Sequence, residues 1–251
     1  MAAADALTGN SFLDALPAST RAALSPSLTR RVVRPGEVLA RPGEPFAEVV
    51  FPIHSVASTV TVTEEGSAVE VGLAGHEGLS PVAIVFGSDA SRHATTVQIP
   101  DSALTISVKS FLTMYASDQT FRSRCASYAE YLFTAATQFA ACNAVHPAEE
   151  RYARWLLMAD DRVGAREFSL TQEFSAQMLG VRRATVTGIA AVLAERGVIS
   201  YRRGRIVVLD REGLEDSTCE CYAAVNGELE RLMGYGARRP TSAASRDGES
   251  G

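Results

Sequence analysis

Hydrophobic and polar positions change their period twice along the 251 residues. Between positions 11 and 28 apolar residues fall at helical spacing, but Pro17 and Pro26 interrupt it, so the stretch reads as short helices. From Val32 to about Val108 the period shortens. The runs 48–53, 56–62, 69–73, 95–99 and 104–108 are rich in β-branched residues and separated by glycine and proline. Pro35-Gly36, Pro42-Gly43 and Glu65-Gly66 are turn signals, and the spacing predicts an antiparallel roll or barrel. After Lys109 the helical period returns, with Asp118 placed to cap a long helix reaching about Asn143. Phe121, Cys125, Tyr128, Leu132, Ala135, Phe139 and Cys142 recur at alternating steps of four and three. That 3.5-residue repeat keeps one seam facing a partner helix; burial against the helix's own domain would show it too, but its length and strict phase favour a homodimer joined along it.

His146-Pro147 breaks the long helix, and 148–158 is a second amphipathic helix with Tyr152, Trp155 and Leu156 on its apolar side. Positions 160–166 read as a polar loop. The stretch 171–179 is a short helix starting at Thr171, and Gly180 is the residue type that turns a chain cheaply. A second helix, 182–196, follows at once and ends at Gly197. Ala176 is small where two such helices cross, and Leu179, Val181, Val186 and Ile189 lock the pair together, which is the register of a helix-turn-helix. Strands at 198–201 and 206–209 flank Arg202-Arg203-Gly204-Arg205, a β-hairpin wing with a basic tip. The stretch 236–251 has no periodicity and reads as a disordered tail.

The fold class expected is α+β: an N-terminal antiparallel β-roll, a long dimerisation helix and a C-terminal winged helix-turn-helix. The domains expected are a β-roll with its dimer helix over 11–145 (the helix at 118–143) and a DNA-binding domain over 146–235.

The net charge of −5 argues against nucleic acid, but its distribution reverses the argument. Between Arg182 and Arg205 six arginines face a single acid, Glu195, so the chain carries one basic patch on an acidic body. The recognition helix offers Arg182, Arg183, Thr185 and Thr187 to base edges, Arg183 being the candidate for a bidentate contact to guanine. Arg202, Arg203 and Arg205 of the wing are placed for phosphate. The N-terminus lacks a basic start and apolar core, and no apolar run reaches membrane-spanning length, which points to the cytoplasm. Cys125, Cys142, Cys219 and Cys221 then read as free thiols. Cys219-x-Cys221 is half a metal site that no second Cys-x-Cys or nearby His pair completes, so no metal is expected.

This order of parts resembles the Crp/Fnr family of bacterial regulators, over about 11–233 and most strongly over 146–215. The resemblance implies a homodimer that binds double-stranded DNA and regulates transcription, with RNA polymerase as a further partner. It makes the β-roll a sensor domain and places Arg183 at the family's base-reading arginine. Ala184 stands for the glutamate and Gly188 for the second arginine of the familiar triplet, so the usual operator half-site is not implied. The nucleotide-binding members carry Gly-Glu-Leu and an arginine for the phosphate. Here Gly78-Leu79-Ser80 lacks the glutamate, and His93 stands where the arginine belongs, with Arg92 one place away. Gly78, Leu79, Arg92, His93 and Thr95 are therefore the effector-pocket candidates, with no cyclic nucleotide expected. No cysteine precedes Cys125, which excludes the family's N-terminal iron–sulfur cluster. His54, His76 and His93 are the histidines available as haem ligands.

Two other classes fit parts of the chain. A β-roll with His54, His76, Glu77 and His93 suits a cupin-like metal enzyme, but the close His-x-His pair is missing. Gly-x-Ser-x-Gly, Walker A and His-Glu-x-x-His patterns are absent too, so no enzyme is expected. A protein-interaction module with a non-reading winged helix would show no salt-dependent DNA binding.

Overall fold

Asn10 accepts the Leu13 amide at the start of α1 (Ser11–Asp14), and Pro17 precedes α2 (Ala18–Leu24). The structure, a computed structural model, describes residues 8–64, 68–165 and 167–238. The Glu65-Gly66 turn signal and positions 239–251 of the expected tail lie outside the described residues.

Seven strands follow: β1 (Thr29–Val32), β2 (Val38–Ala40), β3 (Glu48–Pro52), β4 (Val56–Val62), β5 (Ala68–Ala74), β6 (Ala94–Ile99) and β7 (Ser102–Ser107). They form two antiparallel sheets, ordered β1-β7-β3 and β2-β6-β4-β5. Register sets the inner face: Val49 pairs with Ile106 and Phe51 with Leu104, and alternate residues enter one core with Val56, Leu73 and Ile99 of the other sheet. β1 and β2, unforeseen in the sequence, lie at the sheet edges and carry mostly exposed or half-buried residues.

Ser107 caps α3 (Val108–Ser117), and the Asp118 carboxylate accepts the Phe121 amide at 2.9 Å to start α4 (Gln119–Val145). At 27 residues this helix is roughly 40 Å long. Next come α5 (Ala148–Val163), β8 (Glu167–Ser169), α6 (Gln172–Leu179), α7 (Arg183–Glu195), β9 (Ile199–Arg202), β10 (Arg205–Val208), α8 (Arg211–Asp216) and α9 (Cys221–Met233). The last three strands form one sheet, β8-β10-β9. Among the described residues no helix is long and apolar enough to cross a membrane.

Three expectations are corrected. First, α5 runs on to Val163 instead of giving way to a polar loop at 160. Its last turn is charged but buried: Asp161 meets Arg211 Nη2 at 2.6 Å, and Arg162 Nε meets Glu77 at 2.8 Å. Paired charges let polar letters occupy a core. Second, the seam of α4 faces inward rather than toward a second chain. Phe121 packs edge-on against Phe12 and Phe111 at 6.1 and 5.3 Å, Tyr128 against Phe12, and Phe139 beneath the Arg154 guanidinium at 4.1 Å. Cys125, Ala135 and Cys142 are buried with them, and Leu132 is half-buried against the same core. Several elements of the same chain account for the repeat: α1 and α3 meet its first half, Arg154 of α5 covers Phe139, and α9 lies alongside antiparallel, with Cys221 beside Gln138 and the Met233 carbonyl accepting from Arg124. A 3.5-residue period requires a helix alongside; it does not say whose. Third, the unperiodic end stays packed at least to Ala237, which is buried and whose carbonyl accepts from His76 Nε2 at 2.8 Å.

Candidate nucleic-acid interface

Local chemistry builds the reading motif. Thr171 Oγ1 accepts the Phe174 amide at 3.2 Å and starts α6. Gly180 ends it at φ +63°, a left-handed value that favours glycine, and the Val181 amide returns to the Ala176 carbonyl at 3.0 Å. α7 then buries Val186, Ile189, Ala190 and Leu193 in a core shared with Ala176 and Leu179 of α6. That burial fixes the opposite face outward: Arg183, Ala184, Thr185, Thr187 and Gly188 are exposed at the start of α7, as is Arg182 just before it. The Arg183 guanidinium stands 3.9 Å from the Glu173 carboxylate, a loose contact between two well-exposed groups that DNA can displace. Thr187 Oγ1 donates to Gln172 Oε1 at 2.9 Å.

The wing is a hairpin whose turn residues, Arg203 and Gly204, both have positive φ, +50° and +77°. Two left-handed residues match the twist of the flanking strands. Arg202 and Arg203 project at the exposed tip. Arg205 differs, because its Nη1 is held by Glu167 on β8 at 2.7 Å. The predicted DNA-facing residues are thus all exposed, and Arg205 already has an acid partner.

The effector-pocket candidates separate. Leu79 and His93 border a cavity of about 230 Å³ between the β4–β5 sheet and α4, together with Thr59, Val71, Leu132 and Phe133. Neither a carboxylate nor a guanidinium lines it. Gly78 does not border it: a Cβ there would fall 1.8 Å from the Tyr128 ring, so glycine is needed for close packing. Arg92 is exposed outside the cavity, and Thr95 is buried with its hydroxyl 3.2 Å from that of Thr59.

The histidines and acid that suggested an enzyme do not converge. His54 lies against the Val163 carbonyl and His93 against Thr61 Oγ1. His76 donates from Nε2 to Ala237, so its Nδ1 accepts from Ser11 Oγ at 2.8 Å. Glu77 is taken by Arg162. Glu70, on β5, binds Ser58 Oγ at 2.6 Å and Trp155 Nε1 of α5 at 2.9 Å, and burial pushes its carboxyl up to about 7.

A different convergence went unforeseen. Cys142 and His146, four residues apart at the end of α4, meet Cys219 and Cys221 at the start of α9. The fold thereby supplies the partners whose apparent lack removed a metal from consideration. Cys142-x-x-x-His146 was the available signal, since helical spacing puts both on one face.

Residues 150–217 match the Crp-like helix-turn-helix domain family. No curated protein matches the chain in sequence. Among solved structures, FixK2 of Bradyrhizobium japonicum is similar at a TM-score of 0.62 and 17% identity, covering 76% of this chain and 98% of that one. A CRP-family transcriptional regulator of Thermus thermophilus is similar at 0.61 and 16%, covering 84% and 100%. The c-di-GMP-responsive global regulator CLP of Xanthomonas campestris is similar at 0.59 and 15%, covering 76% and 99%. Similarity at this level of identity establishes the fold.

Proposed function

We infer that this chain, a Crp-like helix-turn-helix domain joined to a Crp/Fnr-type sensor fold, is a sequence-specific DNA-binding transcription regulator acting in the cytoplasm. The observation that carries this reading is the exposed N-terminal edge of α7, held outward by its buried face beside a basic wing. Arg182, Arg183, Thr185 and Thr187 read base edges, and Arg202 and Arg203 hold phosphate. The scattered His54, His76, Glu77 and His93 favour this reading over an enzyme.

The working form is a homodimer joined by α4 through a second heptad phase, about 100° around the helix from the buried seam. Ala126, Phe133, Ala136 and Ala140 lie open or half-open on that phase, and Phe133 is 69% exposed, whereas Ala129 of the same phase is buried in the chain's own core. Small side chains let two such helices approach closely. Phe133 and Ala136 also border the 230 Å³ cavity, so a molecule entering it would touch the dimer face directly. The largely apolar lining suits a small apolar effector and offers a ribose phosphate neither a carboxylate for the ribose nor a guanidinium for the phosphate. Effector binding would reach the DNA by altering the spacing of the two recognition helices, which must lie about one DNA turn (~34 Å) apart.

The test is selection of DNA from a random pool by the purified protein, followed by affinity measurements at several salt concentrations. A pseudo-palindromic site should be enriched, with affinity falling steeply as salt rises. Arg183→Ala should cost roughly 1–3 kcal/mol and relax preference at one base position, whereas Arg203→Ala should weaken all sequences alike. Failure to enrich any sequence would overturn the reading in favour of an interaction module.

A further inference from the structure

Four groups able to bind a soft metal meet where α4 ends and the DNA-binding domain begins. Cys142 and Cys221 are fully buried, Cys219 is 6% exposed, and the His146 ring is mostly covered. Cys142 Sγ lies 3.6 Å from Cys219 Sγ, and Cys221 Sγ lies 3.6 Å from His146 Nδ1. All four ligand atoms fall within 4.8 Å of one another.

We propose that Cys142, His146, Cys219 and Cys221 form a Cys₃His site for a single zinc-like ion that clamps the dimer helix to α9. The distances favour one ion. Bond lengths of about 2.3 Å to sulfur and 2.0–2.1 Å to nitrogen, at tetrahedral angles, put sulfurs about 3.8 Å apart and sulfur and nitrogen about 3.6 Å apart. The Cys142–Cys219 and Cys221–His146 pairs already stand near those separations, and with all four atoms within 4.8 Å of one another the rest need only a small contraction. A polynuclear iron–sulfur cluster places iron and sulfide between its cysteines and spreads them further. A disulfide needs sulfurs about 2.05 Å apart, and all four cysteines are free.

The surroundings support the same assignment. His146 turns Nδ1 to the sulfurs while Nε2 lies 3.3 Å from the Glu220 carboxylate. A proton on Nε2, donated to Glu220, leaves the Nδ1 lone pair for a metal, the outer partner that ligating histidines commonly have. Gln138 Nε2 stands 3.1 Å from Cys221 Sγ, a donor suited to a thiolate. Three thiolates around a divalent ion leave one negative charge, and the buried Arg154 guanidinium acts electrostatically on Cys142 to offset it. Thiolate and imidazole select zinc and its soft relatives over calcium or magnesium, which require oxygen ligands. His146-Pro147 is the joint between α4 and α5, so the ion would fix the angle at which the reading domain leaves the dimer helix.

The experiment uses the full chain, purified under reducing conditions and stripped of metal, and titrated with Co²⁺ and then Zn²⁺. One equivalent of Co²⁺ should give the visible bands of a tetrahedral ion and a thiolate charge-transfer band, both removed by Zn²⁺. Intact-mass measurement should show one zinc per chain. Cys219→Ser with Cys221→Ser should abolish the bands, while Cys125→Ser should keep them. Glu220→Gln, at an exposed residue that folding does not require, should weaken zinc binding about 10-fold or more. Octahedral or absent Co²⁺ bands in the folded protein would overturn the proposal. So would iron with sulfide in the isolated protein, or a Cys142–Cys219 disulfide in place of the ion. The outcome is independent of DNA binding, which the double variant can be assayed for separately.

Discussion

At the scale of single residues, features set by the local chain were legible. Asp118, Thr171 and Gly180 act through amides a few positions away, so the sequence alone placed the helix ends. Residues whose role depends on a distant element were not. Cys219 and Cys221 looked unpartnered because Cys142 and His146 reach them only when α9 docks on α4. Glu70 is similar, an ordinary acid in an alternating strand until α5 sets Trp155 over it. Its carboxyl keeps its proton to about pH 7, with desolvation outweighing the hydrogen bonds from Ser58 and Trp155 and the charges of Arg154 and Arg162. The unfolded chain releases that proton near pH 4.3, at about the usual carboxylate value. Folding therefore gains from Glu70 fully below the unfolded value, and the gain is lost as pH rises through about 7. Trp155 is the chain's single tryptophan and reports on the contact. Its fluorescence should titrate with a midpoint near 7 in the native protein, and Glu70→Gln should abolish that transition. A transition unchanged in Glu70→Gln would assign it to another group.

At the scale of elements, periodic runs were read well and edges poorly. Five strands of the roll, the two wing strands and the helices of the reading motif follow from pattern because each buries one face. β1 carries Arg30 and Arg31 on a sheet edge, so it shows no alternation to read. The final turn of α5 was read as loop because Asp160, Asp161 and Arg162 are charged; their ion partners lie in other elements. α4 is the instructive case. Its strongest repeat is satisfied within the chain, by α1, α3, α5 and α9, and the proposed dimer face is the weaker, alanine-rich phase around Phe133. Substitutions discriminate between the two faces. Phe133→Glu, at an exposed position, should leave the fold and the unfolding transition nearly unchanged while converting dimer to monomer in sedimentation and weakening operator binding by at least 10-fold. Phe121→Glu should instead unfold the chain, because it places a charge among the Phe12 and Phe111 rings of the core. A Phe133→Glu protein that stays dimeric would remove this face from the interface.

At the scale of the whole molecule, one core runs from Phe12 of α1 through Trp155 of α5 to Ile189 of α7, so the two halves are not independent beads. The polar centre of that junction is Arg162, the largest side chain fully buried in the described residues. Its Nε pairs with Glu77 from the sensor, Nη1 donates to the Met158 carbonyl and Nη2 to the Tyr131 hydroxyl of α4. Glu77 Oε1 also accepts the Gly75 amide, and the Tyr235 hydroxyl donates to the Glu77 carbonyl. One guanidinium thus ties together the segment after β5, α4 and α5. A buried pair of this kind adds little against an apolar replacement, yet removing one partner leaves a charge without solvent or counterion. Glu77→Ala should therefore cost about 3–5 kcal/mol in denaturant unfolding, far more than an exposed ion pair. Glu77→Leu combined with Arg162→Met should recover most of that loss, because it removes both charges and keeps the volume. The two proteins differ in what they say about coupling. If the pair also sets the angle between sensor and reading domain, the restored double variant should regain stability but bind operator with altered affinity. A double variant equal to the native chain in both stability and operator binding would reduce the pair to packing alone.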